Sequence, residues 1–314
     1  MNFQSLSHKP IREFVFKVPL SIKTAFATVE SELLEKNISI KLQYYISDEW
    51  FVADGQTSIA LPFYLCNQRI KKLEKLYLGG IEESSNDYIK KIIRHEVAHV
   101  LDNAYGLRRL KKRQKLFGLS STAYPKWYYP KKNNSNYVEN LEDQYGQSHP
   151  EEDWAETFAA WLNPKSNWKE VYKSVAKDKL TYLDSVMLSL PSKKIKYLNH
   201  ELDNYKLDER SLRQYFQEKS RSYKIHYKRH CLRKFQDLPR VITLKEELRI
   251  LEDLATNFSL KEDQITPLYN AIKSNFNIKY SGKSLSKYKL MKFTDILISK
   301  GTKQMFSEFH KVIV

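Results

Sequence analysis

A chain of 314 residues with 41% hydrophobic and 13% aromatic side chains can bury a large core, and its 8 glycines and 10 prolines leave little material for long linkers. The 53 basic against 37 acidic residues give a formal charge of +16, which suits nucleic acid, an anionic membrane surface or an acidic protein partner without choosing among them. Cys66 and Cys231 cannot build a disulfide framework, and no stretch is long and apolar enough to span a bilayer, so a disulfide-stapled module and a helical membrane protein are excluded.

The first residues lack the apolar core of a signal sequence, which makes a cytoplasmic location the expectation. Secretion through an uncleaved signal stays open.

From the N-terminus, Ile22, Ala25, Phe26, Val29 and Leu33 recur at helical spacing behind Ser21 and predict a helix over 21–36. The alternation through Ile38, Ile40, Leu42 and Tyr44 predicts a half-buried strand, and Phe51–Val52 and Thr57–Leu61 read as two more short ones. An edge strand at Ile59–Leu61 would be able to hydrogen-bond an extended peptide, though an ordinary edge strand explains it equally well.

Tyr88, Ile89, Ile92, Ile93, Val97, Val100, Leu101 and Ala104 then mark a long amphipathic helix, with Ser85 as a cap and Gly106 as a stop. Its centre reads His95-Glu96-x-x-His99. Positions four apart on a helix lie above one another, so both imidazoles leave the same face and can share one metal ion. Glu96 stands beside that face, placed to take a proton from an activated water. A buried helix that happens to carry two histidines is the plainer alternative.

Residues 106–147 lose this periodicity. They hold a basic run, Arg108–Lys115, and an aromatic loop bracketed by Pro125 and Pro130, which either roofs a cleft or packs on the surface. A second basic run, Lys219–Lys234, has seven basic residues and no acid. Solvated helix faces and a polyanion site account equally for both runs.

Order returns at Ser148–Leu162, where Ser148 and Glu151 form a capping box and Pro150 suits a first helical turn. Capping explains the early acids but not Glu156, one helical turn beyond Glu152. From residue 199 the chain is lysine-rich, with periodic segments at 209–236, 243–256, 263–275 and 285–309. His226 and His230 are also four apart, but the lysines and arginine around them repel a cation.

A catalytic zinc takes three protein ligands and keeps a position for water, so His95 and His99 need a third. A third histidine six residues beyond His99 is absent, since Tyr105 stands there and Asp102 replaces the intervening glycine. A carboxylate from a later helix remains, and either Glu152 or Glu156 can supply it; His149 and Asp153 are lesser alternatives. Asp102, a turn past His99, is placed either to orient an imidazole or to lie on the surface.

The pair His95-Glu96-x-x-His99 and Glu152-x-x-Ala155-Glu156 resembles gluzincin-type peptidases, among them lethal-factor-type proteases and the Mlc titration factor group. The nearer resemblance is to a bacterial family of zinc-binding metallopeptidases. It is carried by Leu61–Leu65, Arg94–Tyr105, Phe117–Pro125 and Gln147–Ala159 and extends over roughly residues 55–190. That resemblance implies Glu152 as the third ligand and Glu156 as an acid hydrogen-bonded to a ligand histidine; the likeness to lethal-factor-type proteases, which place a tyrosine shortly before the third ligand, implies Tyr145, ahead of His149, as the donor to the substrate carbonyl.

The expectation is therefore an α+β protein with a zincin-like metallopeptidase core over 1–198 and a basic, mostly helical region over 199–314. It would be a zinc enzyme cleaving a peptide or protein, an acidic one in view of the charge. The alternative is a non-catalytic basic protein that binds nucleic acid or an acidic partner.

Overall fold

The computed structural model describes residues 7–78, 86–125, 128, 131, 134–141, 144–191, 195, 209–219, 221, 241–242 and 279–280. The chain forms two compact units, Met1–Lys219 and Ser220–Val314. In the second, strands Val241–Ile242 and Lys279–Tyr280 pair in parallel. The periodic segments expected at 243–256, 263–275 and 285–309 lie outside the described residues, as do His226, His230 and Cys231.

After a short 3-10 turn at Ile11–Glu13, the first unit forms helix α1, Leu20–Glu35, which starts one residue ahead of expectation with Pro19 at its N-cap position. Its buried stripe is Ile22, Ala25, Phe26, Val29 and Leu33, the face marked by the 3.6-residue period. Strand β1 covers Gln43–Ser47 rather than Ile38–Tyr44. Ile38 and Leu42 are still buried, so burial, not strand pairing, produced part of that alternation.

Strand β2, Ser58–Pro62, runs parallel to β1, with Tyr45 opposite Ala60. Residues 48–57 must therefore double back between them, and on the way Phe51 makes an antiparallel bridge to Ala60. All five β2 positions are buried, and the Ala60 N–H donates to the Phe51 carbonyl at 2.8 Å. The peptide-binding edge expected at Ile59–Leu61 is thus occupied by the chain itself, and Trp50–Val52 lies outside it.

Helix α2, Gln68–Leu78, leads to helix α3, Asn86–Tyr105, which carries both histidines. Gly106 adopts the left-handed conformation at φ 65° and its N–H returns to the Asp102 carbonyl at 2.8 Å, ending α3. Helix α4, Lys111–Phe117, precedes helix α5, Pro150–Leu162; α6, Trp168–Val171, and α7, Ser174–Leu188, follow. The cap of α5 is His149, whose side chain accepts from the Glu151 N–H, not Ser148 as the capping box suggested.

The core lies where α3 meets α5. Ile93, Val97, Val100 and Leu101 of α3 and Trp154, Phe158, Trp161 and Leu162 of α5 belong to one apolar cluster, all nearly free of solvent. On the far flank Arg94 makes a two-pronged pair with Glu32 of α1 at 2.6 and 2.7 Å, both side chains buried. The planar guanidinium fixes the rotation of α3 at the residue before His95.

Residues 212–219 are helical and bury Leu212, Tyr215 and Phe216; Phe63 packs edge-on to Tyr215. The boundary expected after residue 198 falls in a stretch outside the described residues, and 209–219 packs with the first unit. The described residues form a helix-rich mixed fold with small parallel sheets, compatible with the expected α+β class. Among them, no helix is long and apolar enough to cross a membrane.

Candidate metal centre

The i, i+4 spacing on α3 brings the Nε2 atoms of His95 and His99 within 3.4 Å of each other. Oε2 of Glu152, from the first turn of α5, lies 2.9 Å from Nε2 of His95 and 3.6 Å from Nε2 of His99. Ligands held tetrahedrally at ~2.0–2.1 Å from zinc stand roughly 3.3 Å apart, the spacing of these three atoms. Among the described residues, His95, His99 and Glu152 are the group of such side chains able to hold one cation.

Glu156, one turn along α5, reaches the other nitrogen of the same ring. Its Oε1 lies 2.8 Å from His95 Nδ1, while its Oε2 accepts the N–H groups of Asn140 and Leu141 at 3.0 and 2.7 Å. A carboxylate so held takes the proton on Nδ1, which leaves the Nε2 lone pair for a metal. Glu156 therefore contacts the outer nitrogen of His95, while Glu152 faces the space shared by the two histidines.

Glu96 is buried, and its Oε2 has no hydrogen-bond partner among the described residues. A buried polar atom left unpaired is costly unless something enters the site to meet it. Burial raises the carboxyl pKa against the pull of both histidines, so Glu96 is a stronger base than an exposed glutamate.

Burial also disfavours charge on His95, but its hydrogen bonds to Glu152 and Glu156 outweigh that and raise its pKa well above the ordinary value. His99 is raised in the same way, chiefly by Glu152, whose own carboxyl is held well below the usual range by the two imidazoles despite burial.

These groups open into a cleft of about 410 Å³ walled by Trp50, Phe51, Val52, Ser120, Tyr124 and Tyr145. The Tyr145 ring lies 5.9 Å from the His95 ring. Asp54, Arg108 and Glu151 stand at the rim, and Arg108 bridges the two acids at 2.6 and 3.2 Å. The cleft does not display the positive excess of the whole chain.

Three residues take other positions than the sequence suggested. Asp102 does not orient an imidazole: its Oδ1 accepts from Arg113 at 2.6 Å and from the Arg108 N–H at 2.7 Å, and its Oδ2 from Arg108 at 3.2 Å. A fully buried carboxylate needs cations, and these two lay within reach in the basic run. His149, weighed as a ligand and as a carbonyl donor, has Nε2 committed to the Thr122 carbonyl at 2.8 Å. Asp153 pairs with buried Lys179 at 2.6 Å, away from the cluster.

Tyr124 was missed as a site residue. Its hydroxyl donates to Oε1 of Glu152 at 2.7 Å, and its ring stacks on His149 with centroids 3.7 Å apart. Burial and the nearby carboxylate raise its pKa, which keeps the phenol a neutral donor. Only its place in an aromatic loop hinted at this, because no periodicity links residue 124 to 152.

No curated protein and no solved structure matches the chain. Residues 90–189 match the model of a family described as "Putative zinc-binding metallo-peptidase", a stretch that holds His95, Glu96, His99, Glu152 and Glu156.

Proposed function

We propose that the protein is a gluzincin-type zinc peptidase with a zincin-like core, hydrolysing a peptide or protein amide bond. The observation that carries this reading is the convergence of His95 Nε2, His99 Nε2 and Glu152 Oε2 within 4.8 Å of one another, beside the unpaired Oε2 of Glu96. Two neutral imidazoles and one carboxylate are the donor set of a catalytic zinc, and when bound there zinc lowers the pKa of a coordinated water to about 7 and polarises a carbonyl.

The chain's own groups divide the remaining work. Glu96 takes the proton of the attacking water and passes it to the leaving amine. Tyr145, on the cleft wall, donates to the carbonyl oxygen as negative charge develops there. Trp50 lines the same cleft with a buried Nε1 that has no partner among the described residues, a donor suited to a backbone carbonyl of an extended substrate. Glu156 holds His95 in the tautomer that leaves Nε2 free.

A polyanion-binding role draws little on the first basic run, where Arg108 and Arg113 both turn to Asp102. The second run lies mostly outside the described residues.

Glu96→Gln tests the reading. The variant should keep about one equivalent of zinc and lose hydrolysis of a peptide pool by about 10²-fold or more, the usual scale for a general base. Turnover at the wild-type rate would contradict the mechanism.

A further inference from the structure

The two oxygens of Glu152 face different partners. Oε2 lies toward His95 and His99, and Oε1 accepts the hydroxyl of Tyr124 at 2.7 Å. Resting on the metal-site reading above, we infer that Tyr124 is a positioning residue that confines Glu152 to one-oxygen coordination of the metal and so keeps a ligand position for water.

The argument starts from what a buried carboxylate does when unassisted. Glu152 is 6% exposed, so each of its oxygens needs a donor or a cation. With only the histidines and a cation on one side, the second oxygen would turn to the same cation, and carboxylates bind metals through one or two oxygens with little to separate the modes. A donor on Oε1 removes that freedom. A phenol is suited to the task, since it stays neutral beside an anion and adds no charge to the site.

Tyr124 itself must be held, and His149 holds it. His149 Nδ1 accepts the Glu151 N–H at 3.2 Å, which places its proton on Nε2, and that N–H donates to the Thr122 carbonyl at 2.8 Å. With both nitrogens committed, the ring cannot rotate, and its face carries the Tyr124 ring at an interplanar angle of 14°. A further turn, from the Thr122 N–H to the Leu119 carbonyl at 3.1 Å, closes the loop.

The cap and first turn of α5 thus supply both the anchor, His149, and the ligand, Glu152, for the residue that constrains the ligand. A tyrosine acting directly on substrate would need a free hydroxyl, and this one is spent on Glu152.

Tyr124 is 52% exposed, so removing its hydroxyl leaves the core intact. The test loads chelated wild type, Tyr124→Phe and Tyr124→Ala with Co²⁺ and reads the visible absorption. A parallel chelator competition gives the zinc affinity. Wild type should show the intense bands of a four-coordinate ion. Tyr124→Phe, which keeps the stack on His149, should show weaker, shifted bands as coordination rises, and zinc affinity lower by about tenfold or more. Tyr124→Ala should match Tyr124→Phe.

A Tyr124→Phe spectrum that overlays wild type, or a change confined to Tyr124→Ala, would overturn the inference and leave the metal reading standing. Failure of wild type to bind Co²⁺ or zinc would instead overturn the metal reading and this inference with it.

Discussion

His95 Nδ1 lies 2.8 Å from Glu156 Oε1, so the ring whose other nitrogen faces His99 and Glu152 is fixed by the same helix that supplies Glu152. Glu156 is fully buried and also accepts the backbone N–H groups of Asn140 and Leu141 and the side-chain amide of Asn140. One carboxylate therefore joins α3, α5 and the 134–141 loop.

Replacing Glu156 by Gln should act on both functions. An amide nitrogen must then confront either His95 Nδ1–H or a backbone N–H, leaving a donor unpaired at a cost of about 1–3 kcal/mol. Zinc affinity should fall about 10–100-fold, the usual effect of removing a histidine's supporting acid. Thermal unfolding and chelator competition measure the two effects. Unchanged affinity would separate Glu156 from the metal site.

Asp102 should separate the same functions differently. It is fully buried and pairs with Arg108 and Arg113, so Asp102→Ala strands Arg113, whose side chain is 3% exposed. Breaking a buried pair in this way costs about 3–5 kcal/mol. Denaturant unfolding should register that loss, while zinc per folded molecule stays at the wild-type value. A selective loss of zinc without loss of stability would return Asp102 to the role first expected for it.

The raised pKa values of His95 and His99 set a pH dependence. Burial opposes their charge, but Glu152, with Glu156 for His95, outweighs it. A metal binds the neutral rings, so zinc affinity of the chelated protein should rise with pH and binding should release protons. Calorimetry in two buffers of different ionisation heat counts them, and binding without proton release would contradict the shifts.

The same shifts fix a sign for metal-free stability. A folded pKa above the unfolded value, about 6.5 for histidine, contributes stability that is complete below about 6.5 and lost as pH rises through the raised value. Melting of the chelated protein across that range should show the loss attributable to His95, compared with His95→Gln. A wild-type protein that gains stability with pH relative to that variant would refute the assignment.

Much of the centre could be read before folding because its signals are local. His95 and His99 share a face by helical geometry alone, and Glu156 stood out as an acid beyond the reach of capping. What depends on contacts between distant segments left no such signal. The Arg94–Glu32 pair joins two helices, Asp102 chose its arginines after the chain turned at Gly106, and Tyr124 reaches Glu152 from a loop without periodicity. The bounds of β1 were misjudged because Ile38 and Leu42 are buried by packing and not by a ladder.

The most direct test is the zinc content of protein purified without chelator, measured by elemental analysis for wild type, His99→Ala and Glu152→Ala. One equivalent in wild type and a loss in each variant, with the fold retained by circular dichroism, is the expected result. Zinc absent from wild type, or retained in full by Glu152→Ala, would contradict a centre built from His95, His99 and Glu152.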